Sequence, residues 1–147
     1  MNSISLPTIA EDMFCYGVYT ASHIINRSYT PLLKPLGLTY PQYITLTLLW
    51  EENDQKVTAL SEKLCMGTNT LTPLLKRLEK SELVTRTRGV EDGREIYVRL
   101  TAKGEELQKE ASRITACIVE GASLEQSELT ELQRLLGKLS SNLSKEA

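Results

Sequence analysis

The sequence predicts a mainly α chain carrying one small β-hairpin, and three observations predict it. Two short helical patterns, 58–64 and 68–81, stand either side of the three-residue turn Cys65-Met66-Gly67. Two alternating runs rich in β-branched residues, 83–88 and 95–100, follow at once, with turn residues between them. Leucines at 129, 132, 136, 139 and 143 then recur at spacings of 3 and 4 near the C-terminus.

In chain order, Pro7 sits near the start of a helical pattern running to about Tyr29, with Ile9, Met13, Gly17, Thr20 and Ile24 along one stripe. Pro31 and Pro35 are expected to break it, and Gly37 to mark a turn. Thr39 and Gln42 form a capping box around Pro41, opening a helix to about Glu52 that is apolar nearly all round. The polar stretch 51–56 ends it. Thr58 is the expected N-cap of the next short helix, Gly67 the turn residue free to take positive φ, and Thr68 the N-cap of the helix to about Ser81. Leu71, Leu74, Leu75 and Leu78 give that helix one apolar stripe. A helix, a glycine turn and a second helix make a helix-turn-helix, and the hairpin behind it makes a wing. Thr101 caps a further helix carrying Leu107, Ala111, Ile114 and Ile118. Ser123 and Gln126 form the capping box of the last one. The leucine seam of that helix reads as a helical dimer interface, with packing inside the chain as the plainer alternative.

At 147 residues the chain is expected to form one domain, with the winged helix-turn-helix at about 39–101 and helical dimerisation parts at about 1–38 and 102–147. Apolar residues are 41 % and charged residues 24 %, the profile of a soluble globular protein. No transmembrane run and no secretory leader is visible, so a cytoplasmic location is expected. Three scattered cysteines, Cys15, Cys65 and Cys117, make neither a zinc spacing nor a secreted disulfide scaffold. With His23 as the single histidine, neither a metal site nor a histidine-dependent hydrolase is expected, and no cofactor either. The net charge of −2 argues against nucleic acid, but its distribution does not. Residues 57–101 hold eight bases and six acids, a net +2, which leaves −4 for the remainder.

The helix after the turn offers Thr68, Asn69, Thr70 and Thr72 near its start and Lys76 and Arg77 further along. Hydroxyl and amide groups suit base edges and phosphate oxygens, and the cations neutralise phosphates. At the hairpin tip Arg94 suits a minor groove, where negative potential is concentrated, and Asp92 is placed to pair with it and hold its direction.

Leu38-Thr39-Tyr40-Pro41-Gln42-Tyr43, Thr70-Leu71-Thr72-Pro73-Leu74-Leu75-Lys76-Arg77-Leu78-Glu79, Asp92-Gly93-Arg94 and Leu100-Thr101-Ala102-Lys103-Gly104 together resemble the MarR family of winged-helix repressors, and within it the peroxide-sensing OhrR-like branch. The resemblance covers about residues 10–110. Three departures stand out: Gly67-Thr68-Asn69 replaces a usual Asp-Ser-Gly, which bears on operator preference, Gly93 replaces a usual glutamate, and Cys65 replaces a larger apolar residue. Cys65 is expected to pack inside the helix-turn-helix.

Phe14-Cys15-Tyr16-Gly17-Val18-Tyr19 and Tyr29 resemble the branch's reactive-cysteine segment and its two tyrosines. Thiolate is the form that attacks peroxide, and tyrosine hydroxyls donate to it. Tyr29 is 14 residues from Cys15, about 21 Å along a continuous helix, so any contact between them must cross a dimer interface. Tyr19, at i+4, can lie beside Cys15 in the same chain, although the resemblance places it across the interface too. The resemblance also implies that Cys117 is the resolving cysteine of the two-cysteine type, condensing with the Cys15 sulfenic acid of the other chain. The plainer alternative is a buried filler between Ile114 and Ile118.

The expected function is therefore a homodimeric repressor that binds palindromic double-stranded operator DNA when Cys15 is reduced. It releases the DNA on oxidation by an organic hydroperoxide or a related oxidant. Two rivals stand beside it. In one, a small aromatic ligand in a dimer cleft lined by Tyr16, Tyr19, Tyr29 and Tyr40 relieves repression, and Cys15 is incidental. In the other, Cys15 is the nucleophile of a thiol peroxidase, for which the sequence shows neither a cationic partner nor a redox motif.

Overall fold

The computed structural model describes residues 9–145, so the helix start expected at Pro7 lies outside the described residues. A 3₁₀ turn at Ala10–Asp12 leads into helix α1 (Phe14–Leu33). Pro31, expected to break the helix, lies inside it. A proline removes one N–H, so α1 forgoes its bond to the Arg27 carbonyl. Leu33, fully buried, fixes the last turn in the core all the same. A second 3₁₀ turn, Lys34–Leu36, is closed by Gly37 at φ +67°, a left-handed conformation that glycine takes at little cost.

Helix α2 (Tyr40–Glu51) opens with the expected capping box: Thr39 N–H donates to Gln42 Oε1 at 2.9 Å, and Gln42 N–H to Thr39 Oγ1 at 3.4 Å. It is the central element. The Tyr43 hydroxyl donates to the Ala111 carbonyl at 3.1 Å and Trp50 Nε1–H to the Gly104 carbonyl at 2.9 Å. After it come a two-residue strand β1 (Gln55–Lys56), α3 (Val57–Leu64) and α4 (Thr68–Lys80).

The helix-turn-helix has the expected layout with different caps. Thr58 is the second residue of α3 and not its cap, which is Lys56. In the turn the left-handed residue is Cys65, at φ +50°, and not Gly67, which has φ −62° and caps α4; Thr68 is the first helical residue. The reason is how α3 closes. Met66 N–H reaches the Ser61 carbonyl at 3.0 Å and Cys65 N–H the Glu62 carbonyl at 3.1 Å, a pair of bonds that puts the left-handed residue at 65. Cys65 is exposed, against the expectation that it packs in the turn.

Strands β2 (Val84–Arg88) and β3 (Ile96–Leu100) form the expected hairpin, in register from Val84 opposite Leu100 to Arg88 opposite Ile96. The hairpin is part of a three-stranded sheet in the order β1-β3-β2, because Gln55 and Lys56 pair with Val98 and Tyr97. Gln55 is buried. Its amide donates to the Leu48 carbonyl at 2.8 Å, and its carbonyl accepts from Lys63 Nζ at 2.7 Å.

Glu79 ties α4 to the sheet by accepting from Arg86 Nη2, Nε and backbone N–H at 2.9, 3.1 and 3.2 Å. The side-chain bonds from Arg86 hold the Glu79 carboxyl below the usual glutamate range. A carboxyl depressed in the folded state stabilises above its unfolded value, and loses that contribution as pH falls through the folded one. Glu79→Gln is therefore expected to cost up to about 1 kcal/mol at neutral pH, discounted for a partly exposed pair. Urea titrations should show the gap from wild type narrowing as pH falls below the usual glutamate range.

Past the wing, Thr101 caps α5 (Ala102–Glu106) as expected, its hydroxyl accepting from Gly104 N–H at 3.0 Å. A Cβ at Gly104 would lie 2.1 Å from the Leu83 carbonyl oxygen, so only glycine fits. The expected single helix is broken at Leu107, and α6 (Gln108–Ala122) follows. Helix α7 (Gln126–Ser144) is capped by Glu125 and Glu128 rather than by Ser123 and Gln126. Ser123, at φ +51°, turns its N–H and hydroxyl back to the Glu120 carbonyl and finishes α6 instead.

The chain divides into two compact units, Met1–Ile114 and Thr115–Ala147. The first holds the core, where Leu33, Leu46, Leu49, Leu60, Leu71, Leu75, Leu78 and Val98 are fully buried. In the second, none of the described residues is buried, and Leu132, Leu135, Leu136 and Leu143 leave 41–56 % of their surface exposed.

Candidate nucleic-acid interface and thiol site

Helix α4 divides by face. Leu71, Leu74, Leu75 and Leu78 are buried, while Thr68, Asn69, Thr70, Lys76 and Arg77 are exposed. Thr72 is half-buried and donates its hydroxyl to the Thr68 carbonyl at 2.7 Å, which leaves its oxygen as an acceptor. Asn69 Oδ1 accepts from Thr70 N–H at 3.1 Å, so the Asn69 NH₂ is the donor it presents outward. The structure thus gathers on one surface all six α4 residues singled out from the sequence.

The wing is braced at its base and aimed at its tip. Gly89 N–H donates to the Glu95 carbonyl at 2.8 Å and Glu95 N–H to the Asp92 carbonyl at 3.1 Å. Asp92 Oδ1 accepts from Arg94 N–H at 3.0 Å and from Arg94 Nε at 3.3 Å. The Arg94 side chain is 94 % exposed, so its position is set almost entirely by Asp92. That pairing is the one expected from the sequence.

Cys15 is exposed and is the second residue of α1, in a first turn whose N–H groups carry partial positive charge. A helix start placed at Pro7 hides this feature. Around it Met13, Phe14 and Val18 are also exposed, an apolar surface that no other described residue covers. Tyr19 is exposed and packs its ring edge-on to His23, centroids 4.5 Å apart. Tyr29 lies at the other end of the same continuous helix, buried, stacked on Tyr40 at 4.4 Å and tilted against Tyr43 at 5.5 Å. Burial, with Tyr43 beside it, pushes the Tyr40 hydroxyl above the usual phenol range.

One protomer therefore does not bring Cys15 and Tyr29 together, nor Tyr16 and Tyr19 together with Tyr29 and Tyr40. Cys117, on α6, is exposed rather than a buried filler. Among the described residues there is no cluster of three metal-ligating side chains, and no helix is long and apolar enough to cross a membrane.

A sequence model described as transcriptional regulator SarA/Rot matches residues 27–111. The chain belongs to the SarA/Rot family of MarR-like winged-helix transcriptional regulators. Over 130 residues, 88 % of each chain, it is 38 % identical to the HTH-type transcriptional regulator MgrA of Staphylococcus aureus. Over 126 residues, 86 % of each chain, it is 37 % identical to the organic hydroperoxide resistance transcriptional regulator of Bacillus subtilis.

Among solved structures it is similar to AbfR of Staphylococcus epidermidis. Reduced, DNA-bound AbfR is 34 % identical, with 90 % of each chain covered and a TM-score of 0.78. The disulfide-formed AbfR superposes less well, at a TM-score of 0.62 over 90 % of this chain and 88 % of that one. The matched SarA/Rot segment runs from the end of α1 to the start of α6 and holds the whole winged helix. Cys15 and Cys117 both fall outside it. Family membership thus accounts for the winged helix, and the thiols need their own argument.

Proposed function

We propose that this SarA/Rot-family regulator is a homodimeric repressor that holds a near-palindromic operator duplex while Cys15 is reduced and releases it after oxidation by an organic hydroperoxide or a related oxidant. The observation that carries the reading is Cys15 itself: an exposed thiol in the first turn of a helix, set in an apolar surface left exposed by the described residues. Such a surface is what a second copy covers. The exposed leucines of α7 extend the same argument, and the operator partner implies a cytoplasmic protein.

On DNA, each protomer lays α4 in a major groove, with Asn69, Thr70 and Thr72 toward base edges and Thr68, Lys76 and Arg77 toward phosphates. Asp92 aims Arg94 into the flanking minor groove. Arg94→Ala is expected to leave the melting temperature unchanged, to weaken duplex binding, and to lower the salt slope by about one. Fluorescence anisotropy at several salt concentrations checks this.

The switch is a two-step oxidation. The Cys15 thiolate attacks the hydroperoxide, forming the sulfenic acid and releasing the alcohol once its alkoxide takes up a proton. Cys117 of the partner subunit then attacks the sulfenic sulfur, a disulfide forms, and water leaves. Tyr19 and Tyr29 are the proposed thiolate donors, acting across the dimer interface. The likeness to AbfR supports the choice of the second step: that protein is known reduced on DNA, overoxidised on DNA, and in a disulfide form. Disulfide formation, rather than the gain of oxygen alone, is then the event that parts protein from DNA. The reaction is stoichiometric. Peptide mapping after one equivalent of cumene hydroperoxide is expected to find Cys15 modified first, with no further peroxide consumed when thiol reductant is absent. Modification of Cys65 ahead of Cys15 contradicts the reading.

A further inference from the structure

Between the first turns of α3 and α4 and the base of the wing lies a cleft of about 290 Å³, walled by Lys56, Thr58, Thr68, Thr72, Arg94 and Glu95. Neither helix has an N-cap side-chain bond; in α4 the Thr70 N–H is engaged by Asn69, and the first-turn N–H groups of Thr58 and Thr68 have no side-chain partner among the described residues. Among the described residues, no partner engages the hydroxyls of Thr58 and Thr68. Lys56, the hydroxyls of Thr58 and Thr68 and two helix starts make a seat for a tetrahedral oxyanion, with Arg94, held by Asp92, at its rim. One feature runs against it. Lys56 Nζ is already held by Glu95 Oε1 at 2.7 Å and stands 5.9 Å from the Tyr97 ring centroid, while Tyr97 donates to Glu95 Oε2 at 3.4 Å.

We propose that this cleft seats one phosphate of the DNA backbone, and that Glu95 occupies Lys56 in the free protein as a competing carboxylate that the phosphate must displace. The proposal rests on the duplex-binding reading above and adds a contact to it. Lys56 and Glu95 keep 43 % and 37 % of their side-chain surface exposed, so breaking their ion pair costs little. Its position is what gives it an effect. A carboxylate in the seat repels the entering phosphate and withholds one lysine from the counterion exchange that drives binding. Glu95 thereby lowers sequence-independent affinity.

The test uses full-length protein and a mixed-sequence duplex of about 30 base pairs, long enough for two half-sites about one helical turn apart. Glu95→Gln is expected to tighten binding by about three- to tenfold and to steepen the salt slope by about one. Thr58→Val is expected to weaken binding. Adding Lys56→Gln to Glu95→Gln is expected to cancel the gain. Glu91→Gln, which removes the same charge from the wing outside the cleft, is expected to gain less.

An unchanged affinity for Glu95→Gln overturns the proposal, as does a gain that survives Lys56→Gln or is matched by Glu91→Gln. Inorganic phosphate that shifts the Lys56 and Thr58 amide resonances at sub-millimolar concentration without DNA also overturns it, in favour of a free anion. A wild-type protein that binds no duplex overturns the regulator reading itself. Wild-type binding with an unresponsive Glu95→Gln overturns only the phosphate seat.

Discussion

Cys15→Ser is expected to stay on its operator through a hydroperoxide titration that strips the wild-type protein from the same duplex. Serine keeps the size and the hydroxyl-like polarity of the site and removes the sulfur that reacts, so reduced-state DNA binding should match wild type. The expected contrast is large. Oxidised wild type should lose on the order of 100-fold in affinity, the upper range for coupling between two sites of one protein. The variant should lose none. Cys117→Ser separates the two chemical steps. Without a resolving thiol, Cys15 proceeds to sulfinic acid, no covalent dimer forms, and the duplex stays bound. The physical reason is lever-like: a disulfide between subunits must draw two helices together, whereas two oxygens on one sulfur need only local room. Recognition helices that ride on those subunits cannot keep successive major grooves in register after a shift of a few Å.

The second large effect concerns assembly. Leu132 and Leu136 sit one turn apart on α7, both more than two-fifths exposed in the single chain. Covering each is worth roughly 1–2 kcal/mol, and a two-fold interface counts every substitution twice. Leu132→Asp with Leu136→Asp also buries unpaired carboxylates if the interface closes. Dimer affinity should fall by about a thousandfold or more. Sedimentation should then show monomer, with operator affinity reduced to that of a single half-site. Far-UV circular dichroism should hold, since the core of the first unit uses none of these leucines. A variant that still sediments as a dimer places the interface elsewhere.

What was legible in the sequence is mostly what is local. The Thr39–Gln42 box, the Thr101 cap and the Asp92–Arg94 pair each join residues two or three apart, so the pattern and the contact are nearly the same thing. The α4 stripe was legible because four leucines at helical spacing define the buried face and leave the other face by subtraction. The misses depend on distant neighbours. α1 passes through Pro31 because Leu33 has a core to enter. Gln55 and Lys56 become a strand because β3, some forty residues on, offers them an edge. Glu125 caps α7 in place of the expected Ser123, because the end of α6 took the serine. The costliest miss for function was the start of α1, which places Cys15 in a first turn rather than mid-helix. The Glu95–Lys56 pair, 39 residues apart, left no mark in the sequence at all.

The central claim, that a disulfide between Cys15 and Cys117 of the partner subunit is what releases DNA, is tested most directly by following both events in one titration. Cumene hydroperoxide is added stepwise to the protein–duplex complex. Anisotropy reports bound DNA, and non-reducing electrophoresis with peptide mapping reports the cysteines. The account predicts that the released fraction rises in step with the Cys15–Cys117 covalent dimer, and that dithiothreitol reverses both. DNA released while Cys15 is still reduced, or a complete covalent dimer still holding its duplex, would contradict it.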